Sequence, residues 1–317
     1  MNELIIKWFK LLIVWLNYNI NNIKKGQEKI NYSYKLNTIE KALKIIMSFD
    51  KEITNGEQLR HFKGIGDGIV SRINEILDKG VLSEVDISVK NLEYVDSLTK
   101  VFGIGKIKAY ELVTKYGITS VDDLKKHLDI LPENIIKGLK YVDKINDSVP
   151  RKEMDEIYFY LNSLAGYLDK KINIEMCCSY RRESDYSGDI DIIISSKDDD
   201  KTILKKFIDL LIDEKFIVES FTSDNVSTKY MGLCKIDKFI RRIDIRFIKM
   251  KSLYTAKLYF TGSKNFNQQM RGIAKSLGYR LNEYSLRYLK DNKRIKINSE
   301  KDVFDILGME YVLPKDR

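Results

Sequence analysis

The segment Asp189-Ile-Asp-Ile-Ile-Ile194 restricts the fold more than any other stretch of the chain. Its isoleucines favour a strand anchored in a core. Side chains alternate along a strand, so Asp189 and Asp191 share a face, with Cα atoms about 6–7 Å apart. Two carboxylates on one face suit a hard divalent cation, and Mg²⁺ sites commonly share such ligands with substrate phosphates. Ser187-Gly188 just before them allows a tight turn whose N–H groups face phosphate oxygens. Ser179, Arg181 and Arg182 add hydroxyl and guanidinium donors. An isolated Asp-x-Asp is most often a solvated strand end; the glycine turn and the arginine pair set this one apart.

A second acidic strand follows in Arg241-Arg-Ile-Asp-Ile-Arg-Phe-Ile248. Ile243, Ile245 and Phe247 fall on one face, Arg242, Asp244 and Arg246 on the other. If the two strands pair, Asp244 completes a three-carboxylate cluster. Three acids in a buried site repel one another and call for cations. The residues alone therefore point to metal-dependent nucleotidyl transfer.

Upstream, Phe62-Lys-Gly-Ile-Gly-Asp-Gly-Ile-Val70 is echoed about 39 residues later by Val101-Phe-Gly-Ile-Gly-Lys-Ile-Lys-Ala109. Each is a Gly-h-Gly turn followed by a helical run, the helix-hairpin-helix pattern. Gly64 and Gly66, then Gly103 and Gly105, let backbone approach a phosphate, and N–H groups at the next helix N-terminus point at it. One such turn is ordinary. Two ahead of a nucleotidyl-transfer motif indicate a grip on nucleic-acid backbone that reads no sequence.

The net charge of +9 and pI near 9.1 favour polyanionic partners. The excess is concentrated from Arg241 onward, where 18 Lys and Arg face 8 Asp and Glu. Three cysteines and two histidines form neither a disulfide framework nor a zinc pattern, so a reducing compartment is expected. Leu4 to Leu16 is apolar, but Lys7 and Lys10 interrupt it, and it is too short to span a bilayer. Its apolar residues surround the helix, which reads as a buried first helix. Helical spacing continues over Lys35 to Phe49, up to Leu77 after the first hairpin, and over Ser120 to Asp147. Pro150 disfavours helix at Val149 and marks a joint. Beyond it come a helix, a strand over Ile172 to Cys177, the acidic turn and strand, a helix over Thr202 to Glu214, and further strands. After Tyr259-Phe260 the chain turns helical again, over Phe266 to Leu277.

Ser179-Tyr-Arg-Arg182 with Ser187-Gly-Asp-x-Asp191 resembles the nucleotidyltransferase signature of the family X DNA polymerases. Arg241-Arg-Ile-Asp-Ile-Arg246 resembles the strand carrying that family's third catalytic Asp. Tyr259-Phe-Thr-Gly-Ser263, Asn267-x-x-x-Arg271, Asn282-Glu-Tyr284, Ser299-Glu-Lys-Asp302 and Pro314-Lys-Asp-Arg317 also match. The similarity is greatest to beta-type members and extends, more weakly, over nearly the whole chain. It implies a multidomain α+β fold. All-α helix-hairpin-helix domains (1–90, lyase-like, and 91–148) precede a palm with a mixed or antiparallel sheet (149–260) and a small α+β nucleotide-selecting subdomain (261–317).

The resemblance also implies roles. Asp189, Asp191 and Asp244 bind two Mg²⁺ ions, for which Mn²⁺ substitutes. Ser179, Arg182, Ser187 and Gly188 hold the nucleotide triphosphate. Tyr259, Phe260, Gly262, Lys264 and Asn267 surround the sugar and base, and Tyr259 favours deoxynucleotides. Lys35, Lys229, Arg242, Arg271 and Tyr284 join the hairpin glycines in contacting DNA, and Arg242 partners Asp244. Arg246 and Glu283 form a closure switch. The carbonyls of Arg60, Phe62 and Ile65, and of Thr99, Val101 and Ile104, hold Na⁺ or K⁺. Expected partners are gapped or nicked duplex DNA, deoxynucleoside triphosphates and a DNA ligase, with a monomeric chain and no membrane. The expected location is the nucleus, or a viral replication compartment or virion if the chain is viral.

Three departures qualify this. Cys178 stands where the family has Gly. Lys264 replaces an acid that touches the nascent base, which raises nucleotide affinity or relaxes discrimination. Arg72 stands where beta-type members have the Schiff-base lysine that removes a 5′-deoxyribose phosphate, and Arg is not an amine nucleophile at neutral pH. Phosphate-pocket lysines are also replaced by Gly68 and Glu84, while Lys35 survives and Lys63 is a weak substitute. The leading reading is a gap-filling polymerase of base-excision-type repair with its lyase lost or weak. Template-independent nucleotidyl transfer and a non-catalytic DNA-binding scaffold are the alternatives.

Overall fold

The computed structural model describes residues 2–23, 26–85, 90–145, 148–222, 226–236 and 239–317. The chain divides into two compact units, Met1–Val142 and Asp143–Arg317.

The first unit is helical: α1 (Glu3–Asn22), α2 (Gln27–Ser48), α3 (Asp67–Lys79), α4 (Lys90–Leu98), α5 (Lys106–Tyr116), the single turn α6 (Val121–Leu124) and α7 (Glu133–Tyr141). The apolar start is α1. Ile5, Trp8, Phe9, Leu11, Leu12, Val14 and Leu16 are all buried, which occupies most of the helix circumference. Ile5, Trp8, Phe9, Leu11, Leu12 and Leu16 join a core with α2 and α3, while Val14 enters the core around α5. The Trp8 indole donates to Gly80 O at 3.0 Å and fixes the helix against the end of α3. No described helix is long and apolar enough to cross a membrane. The helix expected from Lys35 begins earlier, at Gln27, because Ile39, Ala42 and Ile46 bury one stripe while its first turns stay polar. The helical reading of Ser120 to Asp147 becomes α6, a 3₁₀ turn and α7; residues 146 and 147 lie outside the described residues.

The second unit runs β1 (Val149–Pro150), α8 (Arg151–Leu168), β2 (Ile172–Met176), the single turn α9 (Cys178–Arg181), β3 (Tyr186–Ser187), β4 (Ile190–Ser196), α10 (Thr202–Asp213), β5 (Ile217–Ser220), β6 (Lys229–Ile236) and β7 (Phe239–Phe247). Then come α11 (Leu253–Thr261), α12 (Lys264–Ser276), a hairpin of β8 (Tyr279–Asn282) and β9 (Ser285–Tyr288), and α13 (Glu300–Ile306). The main sheet has the order β2-β4-β7-β6-β5. It is mixed: β4 and β7 are parallel, and the other pairs are antiparallel. Ile190, Ile192, Ile194, Ile243 and Ile245 turn inward onto α8 and α10, whose Leu161, Leu204 and Phe207 complete the core. That face fixes the register, because a slip of one residue would bury the acids.

One element departs from the sequence reading. Tyr259 and Phe260 do not end a strand region but lie in helix α11. Leu253, Ala256 and Phe260 repeat at i, i+3 and i+7 and pack on Ile193 and Ile248, a helical period in a stretch short enough to pass for strand. A boundary at 260/261 therefore falls inside α11. Helix α12 also starts two residues before Phe266, capped by the Ser263 hydroxyl on Phe266 N.

Candidate active site

The palm strands bring the acids together through register. Asp191 of β4 lies directly beside Asp244 of β7 in the parallel pair. Asp189 precedes β4 by one residue, with buried Ile190 between it and Asp191, so the two acids share the polar face. Arg242 Nη2 donates to Asp189 Oδ2 at 2.9 Å. Arg242, expected to partner Asp244, also favours the ionised form of that acid by its charge. Burial pushes the Asp191 carboxyl up to about 7, reinforced by the charges of Asp189 and Asp244. Burial also raises Asp244, against the pull of Arg242, Lys229 and Arg246. Lys229 of β6 lies opposite Arg246 of β7. A crowded carboxylate set of this kind fits a hard cation, which relieves both burial and mutual repulsion. Among the described residues no group of three Asp, Glu, His or Cys side chains is placed to hold a metal ion.

A cavity of about 640 Å³ opens against Asp189 and Asp191. Ser179 and Arg182 line it from the turn before β3, and Tyr259, Phe260 and Gly262 from the end of α11. Lys264, Asn267 and Arg271 line it from α12. Ser187 and Gly188 do not. The Ser187 hydroxyl is instead buried and accepts from Ser179 Oγ at 2.8 Å. Cys178 does line the cavity, at φ 50°, a left-handed conformation that suits the glycine the family places there. Burial raises its thiol, and the Asp191 charge raises it further. Thr261 and Ser263, which the sequence matched to a motif without roles, and Gln268, which it did not single out, complete the walls.

The arginine pair locks this turn onto the C-terminal helices. Arg182 Nη1 donates to Thr261 O. Arg181 donates to Thr261 Oγ1 and, through both terminal nitrogens, to Glu300. Arg317 Nη1 reaches the same Glu300 Oε1 at 2.9 Å. Burial alone would raise Glu300, but hydrogen bonds from Arg181 and Arg317 outweigh it and hold the carboxyl below its usual range. Sequence reasoning matched Glu300 and Arg317 to motifs without roles; their charges, far apart in sequence, gave no sign of the pairing.

On α12, Asn267 Nδ2 donates to Tyr259 O at 2.7 Å, and Arg271 lies over the Tyr259 ring at 4.9 Å. These contacts fix the wall that α12 gives the cavity. Arg246 lies over Phe260 at 5.4 Å. Among the described residues no ion pair joins Arg246 to Glu283, whose main-chain oxygen accepts from Thr255 Oγ1. Tyr284 is exposed and does not line this cavity.

In the first unit the two hairpins repeat one geometry. Gly64 and Gly103 have φ of 108° and 87°, values L side chains avoid. Gly66 and Gly105 then serve as N-caps of α3 and α5. Ile65 N donates to Phe62 O and Ile104 N to Val101 O, each at 3.1 Å. The neighbouring lyase-like cluster is self-paired. Glu84 accepts from Lys35 at 2.5 Å and from two nitrogens of Arg72, while Arg72 Nη1 also holds Gly68 O at 2.6 Å. Lys35, expected to contact DNA, is thus engaged by Glu84.

Four family models match successive stretches of the chain. They are a helix-hairpin-helix domain over residues 1–82, the fingers domain of DNA polymerase lambda over 96–146, the DNA polymerase beta palm over 148–250 and the DNA polymerase beta thumb over 256–317. Among curated relatives, DNA polymerase lambda of Arabidopsis thaliana is 30% identical, over 92% of this chain and 58% of its own length. DNA polymerase lambda of Rattus norvegicus is 28% identical, over 87% and 51%. DNA polymerase type-X family protein pol4 of Schizosaccharomyces pombe is 26% identical, over 87% and 58%. The chain spans between half and three-fifths of the length of these relatives.

Proposed function

The chain belongs to the family X DNA polymerases, and from that premise we propose that it is a template-directed DNA polymerase that fills short gaps in duplex DNA during repair. The observation that carries the reading is the register of Asp191 beside Asp244, with Asp189 and Asp191 lining a cavity together with Ser179, Arg182 and Asn267.

In this reading Ser179 and Arg182 hold the triphosphate. Arg182 spends one N–H on Thr261 O, and its other donors remain to face phosphate. Tyr259 packs against the sugar, Asn267 meets the base edge and Arg271 touches the template strand. Lys264 sets a positive charge beside the nascent base. Asp244 faces the primer terminus. The new bond joins the primer 3′-oxygen to the α-phosphorus as the bond to pyrophosphate breaks, and Arg182 steadies the departing charge. Two Mg²⁺ ions, or Mn²⁺, held by Asp189 and Asp191 with Asp244 on one of them, would supply activation of the 3′-hydroxyl and neutralisation of the leaving group. The hairpins grip the DNA backbone and present their carbonyls to Na⁺ or K⁺. The nick left behind is the substrate of a ligase, the expected partner of a monomeric enzyme.

The test is extension of a labelled primer on a one-nucleotide-gapped duplex with Mg²⁺, one nucleotide at a time. Addition only of the complementary nucleotide is expected. Addition regardless of template would favour the template-independent alternative, and binding of gapped DNA without addition would favour the scaffold.

The same reading includes loss of the lyase. Arg72 supplies no amine, and Glu84 pairs with both Lys35 and Arg72, which leaves less positive charge to meet a 5′-phosphate. Borohydride is expected to trap no covalent adduct with 5′-deoxyribose-phosphate DNA. Arg72→Lys alone should restore little, because a neighbouring carboxylate keeps an amine protonated. Arg72→Lys with Glu84→Lys should trap at least about tenfold more, one pKa unit being a factor of ten in free amine. Strong trapping by the unaltered protein would refute the loss.

A further inference from the structure

The catalytic unit contains a second concave site, for which the reading above has no use. Its volume is about 320 Å³, at the small end of ligand pockets. It shares one wall with the nucleotide cavity, Phe260, which lines both. Six cations line it: Lys201 before α10, Arg246 on β7, Lys249 and Lys251 after β7, and Arg287 and Arg294 from the β8–β9 region. No acidic residue is among its lining residues.

The neighbouring acids do not neutralise these charges. Among the described residues, none of the six forms an ion pair with a carboxylate. Asp200 lies 3.8 Å from Lys206 and accepts from Thr202 N at 2.9 Å. Asp199 accepts from Met250 N at 2.7 Å. The arginines spend hydrogen bonds on neutral acceptors. Arg287 holds Ser285 Oγ and Asn292 O, each at 3.0 Å. Arg294 holds Tyr284 O at 2.8 Å and the Lys251 carbonyl. These bonds orient the two guanidinium groups without discharging them. Burial and then the adjacent Arg287 push Arg294 below its usual value, as expected where cations share a restricted volume.

We infer that this cavity binds a phosphate-rich anion of about triphosphate size, at a site separate from the nucleotide's own. Six converging charges exceed what a single carboxylate would neutralise, and guanidinium forks match phosphate oxygens in pairs. Two sources offer that chemistry, a free oligophosphate and the backbone phosphates of a nucleic-acid strand. Arg246 follows Asp244 by two residues on the same face of β7 and stacks on Phe260, so occupancy would be felt at the wall of the nucleotide cavity.

The inference is tested by calorimetric titration of the full chain with tripolyphosphate in EDTA, without DNA. These conditions do not depend on the protein being a polymerase. One tripolyphosphate per chain is expected at this site. Lys249→Glu and Lys201→Glu should each weaken it about tenfold or more, as reversal of a charge facing an anion does. Arg182→Ala, which strips the nucleotide cavity, should leave it unchanged. Lys201 and Lys249 are exposed, and the milder Lys201→Gln/Lys249→Gln pair repeats the test should charge reversal disturb folding. Absence of binding, or binding that Arg182→Ala abolishes and the lysine variants spare, would overturn the proposal. Repeating the titration with saturating gapped duplex identifies the source. Displacement indicates strand phosphates, and simultaneous binding indicates a free oligophosphate.

Discussion

Replacing Asp191 by asparagine is expected to lower nucleotide addition by about 10³-fold while stabilising the metal-free protein at pH 8. The loss follows from removing a charge that would hold a metal, worth several kcal/mol in the transition state at about 1.4 kcal/mol per factor of ten. The gain follows from the acid's surroundings. In the folded chain its carboxyl is raised from 3.8 to about 7 by burial and by Asp189 and Asp244. Between those two values the folded state holds a proton that the unfolded chain has released. The protonated acid's contribution to stability is therefore complete below about pH 4 and is lost as pH rises through 7. At pH 8 the ionised group costs on the order of a few kcal/mol. Asparagine removes that cost, so the variant should melt several degrees higher in EDTA, at about 2–4 °C per kcal/mol for a chain of this size or somewhat smaller. The difference should vanish near pH 4, and added Mg²⁺ should stabilise the parent more than the variant. A lower melting temperature for the variant at pH 8 would mean the three acids do not repel as argued. Full activity would remove Asp191 from the chemistry.

Glu300→Ala is expected to be the most destabilising single change in the catalytic unit. The carboxylate is nearly inaccessible and serves both Arg181 and Arg317. Its removal leaves two guanidinium groups, the second fully covered, without their shared anion. Breaking a buried pair in this way costs about 3–5 kcal/mol. Arg181 belongs to the turn that carries Ser179 and Arg182, so the damage should reach the cavity they line. Denaturant titration should show a lower midpoint, and KM for nucleotide should rise. Arg317→Met should cost much less, since Arg181 keeps its partner and the methionine can fill the ring cage of Phe266, Phe304 and Tyr311. Equal losses in the two variants would mean that Arg317 packing, not the shared charge, holds the cluster.

The sequence carried most of the palm because strand period and chemistry coincide there. Ile190, Ile192 and Ile194 on one face, with Asp189 and Asp191 on the other, leave a single register in which the core is buried and the acids meet Asp244. The hairpins were legible for a similar reason, since Gly64 and Gly103 mark backbone conformations that other residues avoid. Partners of charged side chains were not legible. Arg242 was expected beside Asp244, and its hydrogen bond to Asp189 follows from the placement of that acid just ahead of β4, which the sequence does not reveal. Glu84 reads as a lost lysine, yet only the fold brings it between Lys35 and Arg72. Helix α11 was missed because nine residues with buried Leu, Ala and Thr carry too little periodicity to outweigh the strands before them. The basic cavity is assembled from three separated stretches, none unusual by itself.

The parallel pairing of β4 with β7 also bears on how the molecule acquires its acids. Asp191 and Asp244 come from strands about fifty residues apart, whereas β6 and β7 are neighbours in the chain and pair antiparallel. Local pairings close early and distant ones late, because the longer loop must lose its entropy first. The β6–β7 ribbon is therefore expected to form with Asp244 alone on its edge, and the repulsion between the carboxylates is deferred to the docking of β4. Until that step Asp244 stands apart from Asp189 and Asp191, so the acidic cluster is completed only when the core of the sheet closes.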